Sequence, residues 1–509
     1  MSPAPSGLSG QRAAGARPLF LFLLLSAAIW LICLYRQQLV ILNEDVIWLI
    51  VAAGRLLDGA RLGADIVEVN TPIAVLLYLP AALLMRWLHL PMAPAHHLAT
   101  SLMILASLGL TAAILRPVWL GNGMRPWLWP VLQAVFLAFS LQAYHFGQRD
   151  SLVFMFLLPL IAYLAVLLTG GECRLSLRMA IGIAAALAIA IKPHYLPVAI
   201  SIYGLRIWRF GFQSLLKSVD LRAAVLAGLA LLAISFAIFP DWLEMVRFTI
   251  RFYLPISHDT GFLFGDFFRQ RMPAIAIAAI GALLWWRLPK TAPLRPLITA
   301  LLVTEPAFLL AYFLQARGYA YHLIPFEMAS GLAGFLAILS LLAQPFGRAR
   351  MALGVSALLA AFAVFATAAL QTYNLQPERM AEDRVVAAVH RYDRGNGMAL
   401  LDIRGPPAIF AIPIFGTKMA ARGQSLWAIQ SIERVAAPDR DAFLQSVIAD
   451  FRRFQPDVVV VNRTALLPDG RNMADRLNDE PAFAEIWSNY RLVEETRSNH
   501  TDFAIYARE

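Results

Sequence analysis

Charge is scarce in this sequence. Asp, Glu, Lys and Arg make up 15% of its 509 residues, against about 25% in soluble globular domains. The shortfall lies mostly upstream of residue 372 and excludes a string of ordinary soluble domains there. Cysteine is scarcer still. Cys33 sits in the first apolar run and Cys173 in a short basic loop, which excludes a disulfide framework and a cysteine metal site. The chain has no internal repeat, which argues against transporters built from paired halves. Its polar C-terminal stretch has no Gly-rich loop opening a helix, so a phosphate cradle of that kind is not expected there.

What is abundant is apolar. Hydrophobic residues make up 59% of the chain, grouped in runs near the roughly 20 residues needed to cross a bilayer. These runs are 18–35, 72–90, 95–115, 127–144, 151–169, 179–191, 194–208, 222–240, 272–286, 296–315, 323–343 and 351–371. The first continues without a small-residue cleavage site and reads as an uncleaved span. The net charge of +10 would suit nucleic acid. The cations, however, gather between apolar runs, where they orient helices in a membrane, so membrane lipids are the expected partner and nucleic acid is not.

Counting every run as a span puts Arg116 and Arg125, then Arg206, Arg209, Lys217 and Arg222, then Arg287, Lys290 and Arg295 outside. Cytoplasmic loops should carry that excess. One change restores the bias: 72–90 dips into the membrane from outside without crossing, as its Asn70-Thr71-Pro72 start and internal Pro80 allow. The expected fold is a polytopic α-helical membrane protein with about eleven spans plus a membrane-dipping helix. Its transmembrane domain is 1–372. An extracytoplasmic domain, 373–509, has strand-like runs at Met398–Ile403, Val458–Val461, Arg491–Glu494 and Phe503–Ala507 with helical patterns between them, which reads as small α/β. Asn462-Arg463-Thr464 matches a glycan-acceptor sequon, a tripeptide too common to carry an assignment.

Polar residues cluster at the expected outer face. Asn43-Glu44-Asp45 precedes a helix whose Val46, Leu49, Ile50, Ala53 and Leu57 form one apolar stripe, as in a helix lying in the membrane surface. An acid in a first turn is favoured by the helix dipole; it can also serve as a general base for an acceptor hydroxyl. Asp65 and Glu68 lie three apart before the dipping segment. Two carboxylates allow a divalent cation, though two ligands alone are weak evidence for one. Tyr144-His145-Phe146-Gly147-Gln148-Arg149-Asp150 crowds polar groups into one junction, and charge near a membrane is costly unless paired or functional. Lys192-Pro193-His194 breaks two short helices, which is tolerated at membrane depth where the break lines a cavity; Lys192 and His194 are expected inside the bundle. Arg317, Tyr321 and His322 form a further group, in which Arg can fork phosphate oxygens and Tyr is also an ordinary interface anchor. The 241–271 loop carries Arg247, Arg251, His258, Asp259 and Arg269 and opens with an amphipathic segment, Trp242 to Tyr253, expected to lie on the membrane surface.

This pattern resembles the GT-C glycosyltransferases, which use polyprenyl-phosphate sugars and include the aminoarabinose transferase of lipid A and the protein O-mannosyltransferases. The resemblance rests on Glu44-Asp45 after the first span, on Glu68-Val69-Asn70-Thr71-Pro72 as the step into a dipping helix, and on Asp150 opening a later span. Phe146 to Asp150, Lys192-Pro193-His194 and Tyr321 to Pro325 resemble a bacterial subgroup. The likeness covers residues 18–343. It implies Asp45 as catalytic base, Asp150 as a second acidic site residue, Glu68 in the pocket and inversion at the sugar. Thr71-Pro72 departs from the family's double Pro, and Asn70 stands where a Lys often does, so Arg149, Lys192, His194 or Arg317 would hold the phosphate. Glu44, Asp65, His145, Gln148, Tyr321 and His322 complete the expected substrate site.

The function expected is transfer of a sugar from a polyprenyl-phosphate donor to a lipid, glycan or protein hydroxyl in the cell envelope, at the periplasmic side of the bacterial inner membrane. No cofactor is required by this chemistry, although a divalent cation is compatible with it. Two rival readings are a lipid-linked-oligosaccharide flippase and an O-antigen ligase or polysaccharide polymerase. The flippase predicts polar groups in mid-span, and the ligase predicts a large outer loop.

Overall fold

The computed structural model describes residues 31, 35, 37–121, 143–253, 260–292, 294–315, 318–342, 376–403, 407–464, 467, 469–498 and 501–509. Most or all of the expected spans 18–35, 127–144 and 351–371, and the whole of Arg317, lie outside the described residues. Among those described, five helices are long and apolar enough to cross a membrane: Met92–Arg116, Arg149–Leu168, Val219–Ile238, Arg295–Gln315 and Ala320–Ile338. Along Val219–Ile238 the side chains of Val225, Leu226, Leu229 and Leu232 are at least half exposed. Water would not tolerate such a surface, and lipid does. The chain is a polytopic membrane protein. The Pro72–Leu88 run is two helices, Pro72–Leu76 and Leu79–Leu88. Each has Pro in its first turn, where the missing N–H costs nothing, and Thr71 caps the first by accepting from Ala74 N. Together they fall short of the roughly 20 residues of a straight span.

Contacts divide the chain into two compact units. The first comprises residues 1–38, 100–230 and 263–371. Within it the 149–168 helix packs on Leu175–Ile191 and on 295–315, which packs in turn on Ile324–Leu342 and Leu196–Phe210. Small residues permit the close crossings. A Cβ on Gly182 would lie 2.2 Å from the Asp220 carbonyl oxygen, and Gly281 meets the backbone of Gly334. Arg206, counted in sequence among the cations that follow the 194–208 run, is buried. It donates to Asp220 and Ser218, and Tyr203 donates to the same carboxylate.

The second unit comprises residues 39–99, 231–262 and 372–509. Its sheet has the order β1-β2-β4-β3: β1 (Met398–Leu401) runs parallel to β2 (Val458–Asn462), β2 antiparallel to β4 (Thr501–Arg508), and β4 antiparallel to β3 (Tyr490–Ser498). β1 and β2 are buried along their whole length, as parallel strands covered on both faces are. The Ala437–Phe454 helix connects them and buries Phe443, Leu444, Val447, Ile448 and Phe451 at helical spacing. Asn462 is buried and donates from Nδ2 to Asp402, so its amide nitrogen is committed within the fold.

Two surface expectations are corrected in this unit. The Glu44–Leu57 helix buries Ile47, Trp48 and Ala52 as well as Val46, Leu49, Ile50 and Ala53 of the expected stripe, while Leu57 is half-buried; the protein itself covers most of its apolar surface. The segment from Trp242 to Tyr253 sends Phe252 into the hydrophobic core of the C-terminal sheet, with Phe248 packed beside it. Among its described side chains, the exposed apolar ones are Leu243 and Ile250.

Candidate functional site

In the second unit, the start of the 44–57 helix sets the first carboxylates. Asn43 is its N-cap and accepts from Asp45 N at 3.0 Å, satisfying one of the orphan donors of the first turn. Glu44 and Asp45 are half-buried there. Burial, with the neighbouring Asp45 charge, pushes Glu44 up to about 7. One turn on, Trp48 Nε1 donates to Glu68 Oε2 at 2.7 Å. The other oxygen of Glu68 accepts from the backbone N–H of Asn70 at 2.8 Å and from its side-chain amide. Glu68 is buried and held in one orientation by donors from both sides. Asn70, the residue at which the sequence departs from the resemblance, thus fixes this acid together with Trp48.

Asp65 does different work. Its carboxylate pairs with Arg453 at 2.8 Å and lies 3.7 Å from Arg61, and Arg453 with the Arg61 N–H holds it below the usual carboxylate range. Asp65 and Glu68 share no partner, and each is engaged by protein donors, so they do not fit a shared divalent cation. Among the described residues no three His, Cys, Asp or Glu side chains gather as a metal site. At the far end of the 44–57 helix, Arg55 donates to the carbonyls of Met419 and Ala421, tying the helix that carries Asp45 to the C-terminal residues.

In the first unit, Asp150 is fully buried at the start of the 149–168 helix. Lys192 Nζ donates to both of its oxygens, at 2.9 and 2.8 Å, and Tyr195 Oη donates to Oδ1 at 2.5 Å. The reason is local. Pro193 opens a 3₁₀ turn, Pro193–Tyr195, in which side chains three apart eclipse. Lys192 and Tyr195 therefore share one side, while His194 is exposed. That corrects the expectation of His194 inside the bundle. Gln148 accepts from the Arg149 backbone N–H at 2.7 Å and caps the same helix; Arg149 is buried beside it. Around this network the ring of Tyr321 lies 5.5 Å from Lys192 Nζ, 5.9 Å from the His145 ring and 4.5 Å from the His322 ring. The structure thus brings Asp150, Lys192, Tyr321, His322 and His145 together. Tyr195 closes the Lys192-Pro193-His194-Tyr195 cluster of the sequence but was given no role there; its signal was its spacing of three from Lys192 across a proline.

It also missed Glu305. This acid sits mid-helix in 295–315, is 7% exposed, and its Oε1 has no hydrogen-bond partner among the described residues. An acid followed by Pro306 inside an apolar run was the available signal.

No protein-family model and no curated protein matches the chain. Solved structures do. The chain is similar to ArnT from Cupriavidus metallidurans in the apo state, with a TM-score of 0.52 at 14% identity over 97% of this chain and 98% of that one. It is likewise similar to ArnT from the same organism bound to undecaprenyl phosphate, with a TM-score of 0.51 at 13% identity over 96% and 97%. The chain therefore shares its fold with ArnT, in keeping with the fold that the sequence resemblance implies.

Proposed function

We propose that this protein is a glycosyltransferase that moves a sugar from a polyprenyl-phosphate donor to an acceptor hydroxyl in the cell envelope, with inversion, at the periplasmic face of the bacterial inner membrane. The observation that carries this reading is the fold likeness, end to end in both chains, to a protein captured with undecaprenyl phosphate. Asp45 takes the proton of the acceptor hydroxyl. The hydroxyl oxygen then bonds to the anomeric carbon as that carbon's bond to phosphate breaks, and the electron pair leaves on the polyprenyl phosphate. Its half-buried place in a capped first turn suits Asp45 to this work: fixed backbone, side chain within reach of solvent. Glu68 is the orienting acid. Asp150 is the second acidic site residue and fixes Lys192, so the phosphate falls to Arg149, His194 and Arg317. Cations placed where charge develops are often the largest catalytic term.

Asp45→Asn should lower transfer by about 10²–10⁴-fold with an unchanged melting temperature, read as release of polyprenyl phosphate from a radiolabelled sugar donor. Transfer at the wild-type rate removes Asp45 as the base. Failure of the wild-type protein to release polyprenyl phosphate from any such donor removes the enzyme reading.

The flippase reading is favoured by one observation, the mid-span Glu305, because buried intramembrane acids mark transport paths by default. Glu305→Gln should leave sugar transfer within about twofold of wild type if the enzyme reading holds, since a surface-distant neutral isostere changes no reacting group.

A further inference from the structure

A cavity of about 260 Å³ opens in the second unit between the Trp242–Tyr253 segment and the residues around β1 and the 437–454 helix. Its apolar wall is aromatic: Phe248 meets Trp427 edge-on at 5.6 Å between ring centres, and Phe443 lies behind. Its polar lip is ionic and paired. Arg251 Nη1 is 2.6 Å from Asp439 Oδ1, Arg422 Nε 2.5 Å from Asp450 Oδ1, and Arg247 pairs with Glu244.

That lining selects a chemistry. Three guanidinium groups face three carboxylates, so an anion gains no net attraction, and a hydrocarbon chain would strip water from six charged groups. A pyranose ring suits both parts. Its C–H faces lie against aromatic rings, while its hydroxyls donate to carboxylates and accept from guanidinium N–H groups together. The volume matches one or two rings. The position matters too: Val67 lines the cavity, its N–H donates to the Arg422 carbonyl at 2.8 Å, and the next residue is Glu68.

We infer that this cavity binds a saccharide unit of the acceptor, so that the acceptor is a glycan or a glycan-bearing molecule. The acceptor role rests on the glycosyltransferase reading above; the sugar-binding chemistry does not.

The full chain, in nanodiscs free of sugar detergents, would be examined by saturation-transfer NMR. The probes are methyl α-mannopyranoside, methyl α-glucopyranoside and methyl β-N-acetylglucosaminide, with inorganic phosphate as the anionic competitor. At least one glycoside should bind, and Trp427→Ala and Arg251→Gln should each weaken it about tenfold, as loss of an aromatic or Arg anchor does. Arg251 is exposed, so its variant tests the idea even if Trp427→Ala fails to fold. Absence of binding by every glycoside, binding indifferent to Arg251→Gln, or displacement by phosphate would overturn the inference. Asp45-dependent release of polyprenyl phosphate, measured on the same samples, separates the two claims. Release without glycoside binding removes this inference alone, and glycoside binding without release removes the transferase reading and the acceptor role with it, leaving a saccharide-binding cavity.

Discussion

Asp150 is fully buried, and Lys192 and Tyr195 donate to its carboxylate. Removing one member of a buried ion pair leaves the other uncompensated and costs about 3–5 kcal/mol. Lys192→Met should therefore destabilise strongly, and Asp150→Asn added to it should recover much of the loss in a double-mutant cycle read by thermal unfolding. Additive losses would mean the two act separately. Glu44 offers a pH signature. Its ordinary value of 4.5 is raised to about 7 in the fold, so between those values the folded protein holds a proton that the unfolded chain has released. Stability from Glu44 is full below pH 4.5, falls by up to about 1.4 kcal/mol per pH unit, and is lost as pH rises through 7. Wild type should accordingly lose melting temperature between pH 5 and 8 relative to Glu44→Gln, and parallel curves for the two proteins would refute the assignment.

The elements that hold these residues depend on a few backbone permissions. Gly63 has φ +98°, and a Cβ there would lie 2.2 Å from the Asp241 carbonyl oxygen. Gly63→Ala combines a left-handed backbone with a steric clash, and strain of the first kind alone costs about 1–3 kcal/mol. It should lower thermal stability and loosen the loop ahead of Glu68, seen as faster amide exchange over 61–70; unchanged exchange would contradict the geometry. How much was legible beforehand follows from the same local physics. Val458–Val461 read as a strand because a short unbroken β-branched run suits a doubly covered parallel strand, and it is one. The acids at 44, 45, 68 and 150 were legible as chemistry placed beside apolar runs. Their partners were not, because Trp48 reaches Glu68 across twenty residues and Lys192 reaches Asp150 across forty-two. The Glu44–Leu57 stripe suggested a surface helix because periodicity reports the most apolar face and says nothing of what covers the other. The side that His194 takes was not legible, because a proline break in sequence does not reveal the 3₁₀ turn that sets Lys192 and Tyr195 on one side and His194 on another.

At the scale of the whole chain, contacts within the second unit constrain how often the polypeptide crosses the membrane. Arg61 pairs with Asp241 at 3.3 Å, Trp242 Nε1 donates to the Asn70 carbonyl at 3.1 Å, and Arg55 donates to the Ala421 carbonyl at 2.7 Å. Segments that touch in this way share one side of a bilayer, so an even number of crossings must separate them. Seven apolar runs lie between residues 70 and 241, from 72–90 to 222–240, and four lie between 241 and 421. With every other run taken as a crossing, four would satisfy parity and seven would not, which would put the non-crossing run in the first set. That agrees with the charge bias, by an independent route, and the short, proline-started pair Pro72–Leu76 and Leu79–Leu88 is the natural candidate. The prediction is topological. In a background with Cys33 and Cys173 replaced by Ser, single cysteines at exposed Asp58, Lys217 and Glu433 would be challenged in intact spheroplasts with a membrane-impermeant maleimide. Asp58→Cys and Glu433→Cys should label from outside, and Lys217→Cys only after permeabilisation. Labelling of the first two from opposite sides would break the parity argument and the compact unit with it. Lys217→Cys labelling alongside them would instead leave the parity intact and move the non-crossing run downstream of residue 217.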